Sequence, residues 1–269
     1  MALRIATWNV NSITTRLDRI TGWLRSTDPD VVCLQELKCT PEAFPTAPLR
    51  ALGYEAAFVA DGRWNGAAVL SRVGLEDITH HLPDQPQYDG VTEPRAVGAT
   101  CGPVRVWSLY VPNGREVGHA HYAYKLKWLE ALRAAVATDA AGSRPFAVLG
   151  DFNVAPKDED VWDISLFEGA THVSEAERTA LIELQKEGLS EVYPRALKYD
   201  IPFTFWDYRQ LGFQKNKGMR IDHVYGNAPF TAAVTDSYVD REARRPGKKD
   251  APASMAPSDH APLVVDLEL

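Results

Sequence analysis

Short, nearly continuous apolar runs recur along the chain. They are "LRIATWNV" (3–10), "DVVCLQE" (30–36), "GAAVLSR" (66–72), "RAVGATCG" (95–102), "VRVWSLYV" (104–111), "FAVLGD" (146–151), "RIDHVYG" (220–226), "TAAVTDSYV" (231–239) and "APLVVDLEL" (261–269). Runs of this length predict strands, and the want of polar alternation in 30–36 predicts a sheet buried on both faces. Elsewhere the spacing turns helical. Leu17, Ile20 and Leu24 share one face of a helix over 16–25, and a long helix is predicted over 120–139. The segment 174–188 carries its own start and stop signals, a capping box of Ser174 with Glu177 and a terminal Gly188.

Gly102-Pro103 marks a hairpin-like turn between two of the strands. Two long proline-rich loops, 81–94 and 241–259, are of the kind that is functional or mobile in compact domains. Hairpins and helical crossovers both occur, so a mixed strand order is expected in a sheet-rich α/β protein with helices outside. No repeat, low-complexity tract or break in composition divides the chain, so 1–269 is expected to be one domain.

Composition narrows the class. With 45% apolar and 24% charged residues, the chain reads as an ordinary soluble protein. No apolar run is long enough to span a bilayer, and "MALRIATWNV" lacks the order of a signal peptide, so a cytoplasmic protein is expected, with no membrane partner. Cys33, Cys39 and Cys101 have neither disulfide-framework nor zinc spacing, and Cys33 reads as a small core residue. A net charge of −7 argues mildly against gripping a polyanion by bulk charge. The basic stretches 213–220 and 241–250 remain available as local patches, although a lone charge run is more often a solvated loop.

The polar residues that interrupt the pattern change the picture. Asn9 and Asn11 follow the first strand, and Gln35 and Glu36 end the second. Tyr110 and Asn113 end "VWSLYVPNG", and Asp151 and Asn153 end "AVLGDFN". Asp222 and His223 lie inside "RIDHVYG", and Asp259 and His260 precede the last strand. Each alone has a plain explanation as a cap, a solvated acid or a satisfied core histidine. Together they are costly unless they bind something or one another. The oxygen-rich set Glu36, Asp151, Asp259, Asn9 and Asn153 suits a hard cation, Mg²⁺ or Mn²⁺, rather than zinc. An Asp–His couple with no Ser or Cys nucleophile points to phosphoester hydrolysis by activated water.

Six motifs in order, "TWNVNSI" (7–13), "LQELK" (34–38), "LYVPNG" (109–114), "GDFNVAP" (150–156), "RIDHV" (220–224) and "PSDHAP" (257–262), resemble the exonuclease III family of the endonuclease/exonuclease/phosphatase superfamily. The resemblance spans nearly the whole chain. It implies a four-layer α/β sandwich, two packed mixed sheets flanked by helices, with the active site where the loops after the strands converge. It also implies Mg²⁺-dependent cleavage of double-stranded DNA 5′ to abasic sites, with 3′-to-5′ exonuclease activity and cleaning of blocked 3′ ends.

Roles follow by motif. Glu36 would be the main metal ligand, helped by Asn9 and Asp259, with Asp151, Asn153 and His260 in the same candidate set. Asp151 would orient or deprotonate the attacking water, and Asn153 would hold that water or the phosphate. His260 would contact the phosphate, with Asp222 fixing its tautomer. Tyr110 would contact the phosphate or help the leaving oxygen, and Asn11 and Asn113 would line the phosphate path. Whether Asp151 or His260 is the base, and whether one or two metals act, stays open at this point.

One departure concerns the substrate pocket. Where "GWRID" is common in the family, this chain has "GMRID" (218–222), so Met219 stands in for a pocket-wall Trp, while Phe205 and Trp206 remain to pack the sugar of an abasic nucleotide. Lys215, Lys217, Arg220 and the 241–249 run are candidate DNA-phosphate contacts, and a monomer is expected. The competing readings are a small-molecule phosphoesterase of the same superfamily and a non-catalytic DNA-binding relative. Tyr110 with "VPNG" disfavours the first, and the intact acids and His260 disfavour the second.

Overall fold

A computed structural model describes residues 1–247 and 250–269. The first half of the chain builds β1 (Ala2–Asn9), α1 (Leu17–Thr27), β2 (Val31–Gln35), α2 (Thr46–Arg50), β3 (Glu55–Val59), β4 (Ala67–Ser71), β5 (Glu76–His80), β6 (Ala96–Cys101) and β7 (Val104–Tyr110). There follow α3 (Ala120–Ala140), β8 (Phe146–Asp151), α4 (Glu175–Lys186), β9 (Leu189–Glu191), β10 (Asp222–Asn227), α5 (Ala228–Ala233), β11 (Val234–Val239) and β12 (Leu263–Glu268).

The strands form two six-stranded sheets, ordered β11-β12-β1-β2-β4-β3 and β5-β6-β7-β8-β10-β9. Both sheets are mixed. β1 and β2 run parallel, as do β7 and β8, and the other pairs are antiparallel.

Period-2 alternation splits each strand between two apolar environments. Ile5, Val31, Cys33 and Val69 of the first sheet meet Val97, Val106, Ala147, Leu149 and Val224 of the second in the central layer. Their neighbours Ala6, Trp8, Val32 and Leu34 face outward, onto Ile20, Trp23 and Leu24 of α1 and Leu49 of α2. On the other outer face Trp107, Leu109, Phe146 and Val148 meet Trp128, Leu132, Leu181 and Leu184 of α3 and α4. A strand with apolar cover on both sides has no polar face to show, hence the continuous runs. The expected four-layer sandwich is the observed one.

Some elements differ from expectation. The predicted strand 231–239 begins only at Val234. Asn227 caps the preceding turn by accepting from Phe230 N, and Pro229 sits in the first turn, so 228–233 is helical. β3, β5 and β9 had no clear apolar run, and all three are sheet edges with one side open, where a strong apolar pattern is not needed. The loop 241–259 contains two short 3₁₀ turns, Arg241–Arg244 and Ala253–Met255. The capping box of Ser174 and Glu177 is present as expected.

Candidate functional site

Two parallel pairs aim four strand ends the same way. β1 ends at Asn9, β2 delivers Glu36, β7 ends at Tyr110 and β8 at Asp151. β10 runs antiparallel to β8 and begins with Asp222 opposite Asp151. β12 runs antiparallel to β1, which sets Asp259 and His260 at that same end.

One network joins the sheets across this end. Asn9 Nδ2 donates to Glu36 Oε1 at 2.9 Å and to Asp151 Oδ2 at 2.9 Å. Asn11 Nδ2 donates to Asp259 Oδ1 at 3.0 Å, and Lys38 Nζ donates to Asn11 Oδ1 at 2.7 Å. Lys38 also pairs with Glu36 Oε2 at 2.6 Å. His260 Nδ1 bonds Asp222 Oδ2 at 2.7 Å, while its Nε2 lies 3.7 Å from Asp151 Oδ2. Ser258 Oγ donates to Asn9 O at 2.7 Å and accepts from His260 N, which fixes the loop carrying His260.

Electrostatics follow from crowding acids in a dry place. Burial pushes Asp151 up to about 7, helped by the charges of Asp222 and Glu36 and opposed by His260. Burial alone would discharge His260, but Asp222 and Asp151 outweigh it and raise the imidazole to about 10, so it is a cation at neutral pH. Glu36 stays below its usual range because Lys38 and the Asn9 amide outweigh burial. Burial and the Glu36 charge push the Tyr110 phenol far above its ordinary value, which keeps it a hydrogen-bond donor. Positive φ at Glu36 (54°), Lys38 (48°), Asn11 (45°) and Asn153 (52°) places backbone strain in the loops that carry the site.

The donor set fits a hard divalent cation. Carboxylate oxygens of Asp151 and Asp222 lie within 4.8 Å of each other beside His260, whose imidazolium contributes charge rather than a ligand atom, and Asp222 Oδ1 is buried with no hydrogen-bond partner among the described residues. Oxygens of this kind, with a lysine ammonium already drawn onto Glu36, indicate unbalanced negative charge.

The structure shows how several of the expected site residues face. Asn9 holds the acids through its amide nitrogen. Its Oδ1 accepts from Asn11 N at 3.0 Å, and since a backbone N–H only donates, the NH₂ must face the two carboxylates. Asn153 is similarly committed, its Nδ2 to Val111 O and its Oδ1 to the Asn113 amide at 3.2 Å. Arg220 is 0% exposed and spends its guanidinium on Asp160 and Glu191, so it is an internal strut and not a DNA-phosphate contact. Trp206 is 1% exposed and, one residue along an extended segment from Phe205, turns away from the site towards Phe213 and Asn216. Met219 is 5% exposed and packs on Ala155, Val161 and Ile221. Phe205 faces the site, its ring 5.0 Å from His260, and Met219 pairs with it through a backbone bridge and belongs to the apolar cluster on which that ring packs.

Lys215 is exposed, and Lys217 is half-buried with its ammonium 4.1 Å over the Trp162 ring. In the basic run, Arg244 is buried and donates to Trp206 O, while Lys248 and Lys249 lie outside the described residues.

The structure adds residues that the sequence pattern left without a role. Lys38 carries no distinguishing signal beyond its place in "LQELK". Arg95 is buried beneath Tyr110, 4.8 Å from its ring, and donates to Tyr110 O. His172, at φ 78°, lies 3.4 Å from the Asn113 amide and is held neutral, near 3, by burial and the Lys125 charge. Lys125 and Glu177 form a fully buried pair. For Glu177 the signal was visible but pointed only to a helix cap.

Comparison with known proteins agrees with this geometry. Residues 6–260 match the model of the Endonuclease/Exonuclease/phosphatase family. Exodeoxyribonuclease III of Haemophilus influenzae is 26% identical over 97% of this chain and 98% of its own length. A 3′ phosphatase from Neisseria, solved bound to a product DNA hairpin, superposes with a TM-score of 0.90 at 32% identity over 99% of this chain and 100% of that one. An AP endonuclease from Archaeoglobus fulgidus superposes with a TM-score of 0.88 at 31% identity, again over 99% and 100% of the two chains.

Proposed function

The chain belongs to the endonuclease/exonuclease/phosphatase family and is a DNA-repair nuclease within it, and from that premise we propose that it hydrolyses phosphoesters at 3′ ends and 5′ to abasic sites in duplex DNA, with Mg²⁺, or Mn²⁺ in its place, as cofactor. The observation that carries the reading is the joining of Glu36 and Asp151 from opposite sheets through one Asn9 amide, beside the Asp222–His260 couple.

Glu36 and Asp259, with Asp151 adjoining, are the oxygens that would hold the cation. When bound, the metal supplies charge neutralisation at the phosphate and at the leaving oxygen. His260, cationic and oriented by Asp222, gives its Nε2 proton as a hydrogen bond to a phosphate oxygen. Asp151 is then the remaining acceptor for the proton of the attacking water. Its Oδ1 is fixed by Asn153 N at 2.9 Å and its Oδ2 by Asn9. Tyr110 and Asn113 offer further donors on the phosphate side. The chain works as a single catalytic unit, a monomer in the cytoplasm. No helix among the described residues is long and apolar enough to cross a membrane.

A second reading has an observation in its favour. With Trp206 turned away from the site and Met219, buried beside Phe205, offering a thioether and no ring face, Phe205 is the aromatic ring left to wall an extruded sugar. That favours work on 3′ ends over incision at abasic sites. The test offers two labelled duplexes, one with an abasic-site analogue and one with a 3′-phosphate, in Mg²⁺, Mn²⁺ or EDTA, with Glu36→Gln as the comparison. Metal-dependent turnover of both, lost in Glu36→Gln, is expected. Turnover of the 3′-phosphate alone selects the second reading, and turnover of neither overturns both.

A further inference from the structure

Three loops of the site meet over a charged pair that plays no part in the chemistry above. They are the segments 111–115 after β7, 152–156 after β8 and 171–174 before α4. Beneath them lie Lys125 of α3 and Glu177 of α4, each 0% exposed. Lys125 Nζ donates to Asn153 O at 2.7 Å, to Asn113 O at 3.3 Å and to Glu177 Oε1. Glu177 Oε1 also accepts from Thr171 Oγ1 at 2.7 Å and His172 N at 3.0 Å, and its Oε2 accepts from Ser174 Oγ at 2.6 Å. All three ammonium protons and both carboxylate oxygens are thus engaged. The fit is close, since a Cβ on Gly114 would stand 2.7 Å from Thr171 Oγ1 and 3.2 Å from Lys125 Cδ.

Helix packing does not require this arrangement. Trp128, Leu132, Leu181 and Leu184 already form the apolar contact of α3 and α4 with the sheet. A buried ion pair is commonly no more stabilising than apolar residues of the same volume, because desolvation offsets the attraction. What the pair does, and no apolar pair would do, is grip two carbonyls. Those carbonyls belong to Asn113 and Asn153, whose side-chain amides bond each other at 3.2 Å beside Asp151. The backbone N–H of Asn153 in turn holds Asp151 Oδ1.

We propose that Lys125 and Glu177 are positioning residues, a buried clamp that holds the amides of Asn113 and Asn153 in register with Asp151 for the transition state. The inference rests on the reading above that Asp151 accepts the proton of the attacking water and Asn113 donates on the phosphate side. Misplacing catalytic groups by about 1 Å lowers rates on the order of 10²-fold, so the clamp acts on kcat more than on KM.

The test compares wild type, Lys125→Met, Glu177→Leu, the double variant K125M/E177L and Asn153→Ala. Thermal melting and steady-state kinetics are measured for each on the 3′-phosphate duplex with Mg²⁺. The single variants strand a buried charge, and a lowered Tm is expected. The double variant is expected to regain most of that Tm and yet to show kcat reduced about 100-fold, with KM within about threefold. A double variant with recovered Tm and unchanged kcat overturns the proposal. If the double variant does not fold, Thr171→Val decides. It keeps the volume and the ion pair but removes the hydroxyl that bonds Glu177 Oε1 and Asn113 O. Reduced kcat at intact Tm supports the clamp, and unchanged kcat overturns it. An inactive wild type, or an Asn153→Ala variant as active as wild type, would instead sink the underlying reading.

Discussion

Arg220 and its neighbours show what a buried charge costs and holds. Its guanidinium pairs with Asp160 at 2.6 Å and with Glu191, and Glu191 also bonds His223 Nδ1 at 3.1 Å. This node ties the segment before β10 to the short turn at 158–160 and to β9. Arg220→Met should lower stability by about 3–5 kcal/mol in a urea melt, because two acids are left without their counter-charge. It should leave the salt dependence of DNA binding unaltered, whereas loss of a true phosphate contact would reduce the log–log slope by about 0.9. Acid should attack the same node. Burial raises Glu191, but the bonds and charges of His223 and Arg220 outweigh it and hold it down at about 2. The folded state therefore binds fewer protons than the unfolded one below the ordinary carboxylate range. The contribution of Glu191, roughly 3 kcal/mol, is fully present above about pH 4.5 and is lost as pH falls towards 2. Urea melts from pH 6 down to pH 2.5 should show that decline, and a flat profile would count against the node.

At the scale of elements, the site depends on how closely two parallel strands approach at their ends. Gly150 of β8 lies opposite Leu109 of β7, and an added Cβ would fall 1.9 Å from Leu109 O. Backbone does not yield as a side-chain tip does, so β8 must retreat or bend to accept any larger residue. Gly150→Ala is expected to destabilise by roughly 3 kcal/mol and to shift the adjacent Asp151. The loss of activity should then exceed what the drop in Tm explains, read as kcat at a temperature well below the melting range. Activity equal to wild type in a folded Gly150→Ala protein would show that Asp151 tolerates a displaced strand.

At the scale of the molecule, the candidate metal site lies where the two sheets meet, with Glu36 and Asp259 from one and Asp151 from the other. A cation there relieves repulsion between acids and links the sheets. Millimolar Mg²⁺ should therefore raise Tm by about 2–5 °C relative to EDTA, and Glu36→Gln should remove most of that shift. An equal shift in both proteins would place the stabilising ion elsewhere. Much of this architecture was legible in the sequence. Continuous apolar runs such as "DVVCLQE" and "FAVLGD" demand cover on both faces, and that determines layered sheets whatever the order of the strands. The clustering of acids, amides and His260 at strand ends likewise determined the kind of chemistry, because polar groups that interrupt buried strands need a ligand or one another. The edge strands β3, β5 and β9 left little pattern, although β11, also an edge, was legible. Only the tertiary structure decided which way each polar group faces. Asn9 turns its NH₂ to the carboxylates because Asn11 N occupies its oxygen. Arg220 points inward because Asp160, 60 residues away, is there to meet it. Lys125 and Glu177 lie 52 residues apart and meet because α3 and α4 pack on the same sheet face. Hydrophobic periodicity is a property of neighbours along the chain, whereas partnership between charges is a property of distance in space.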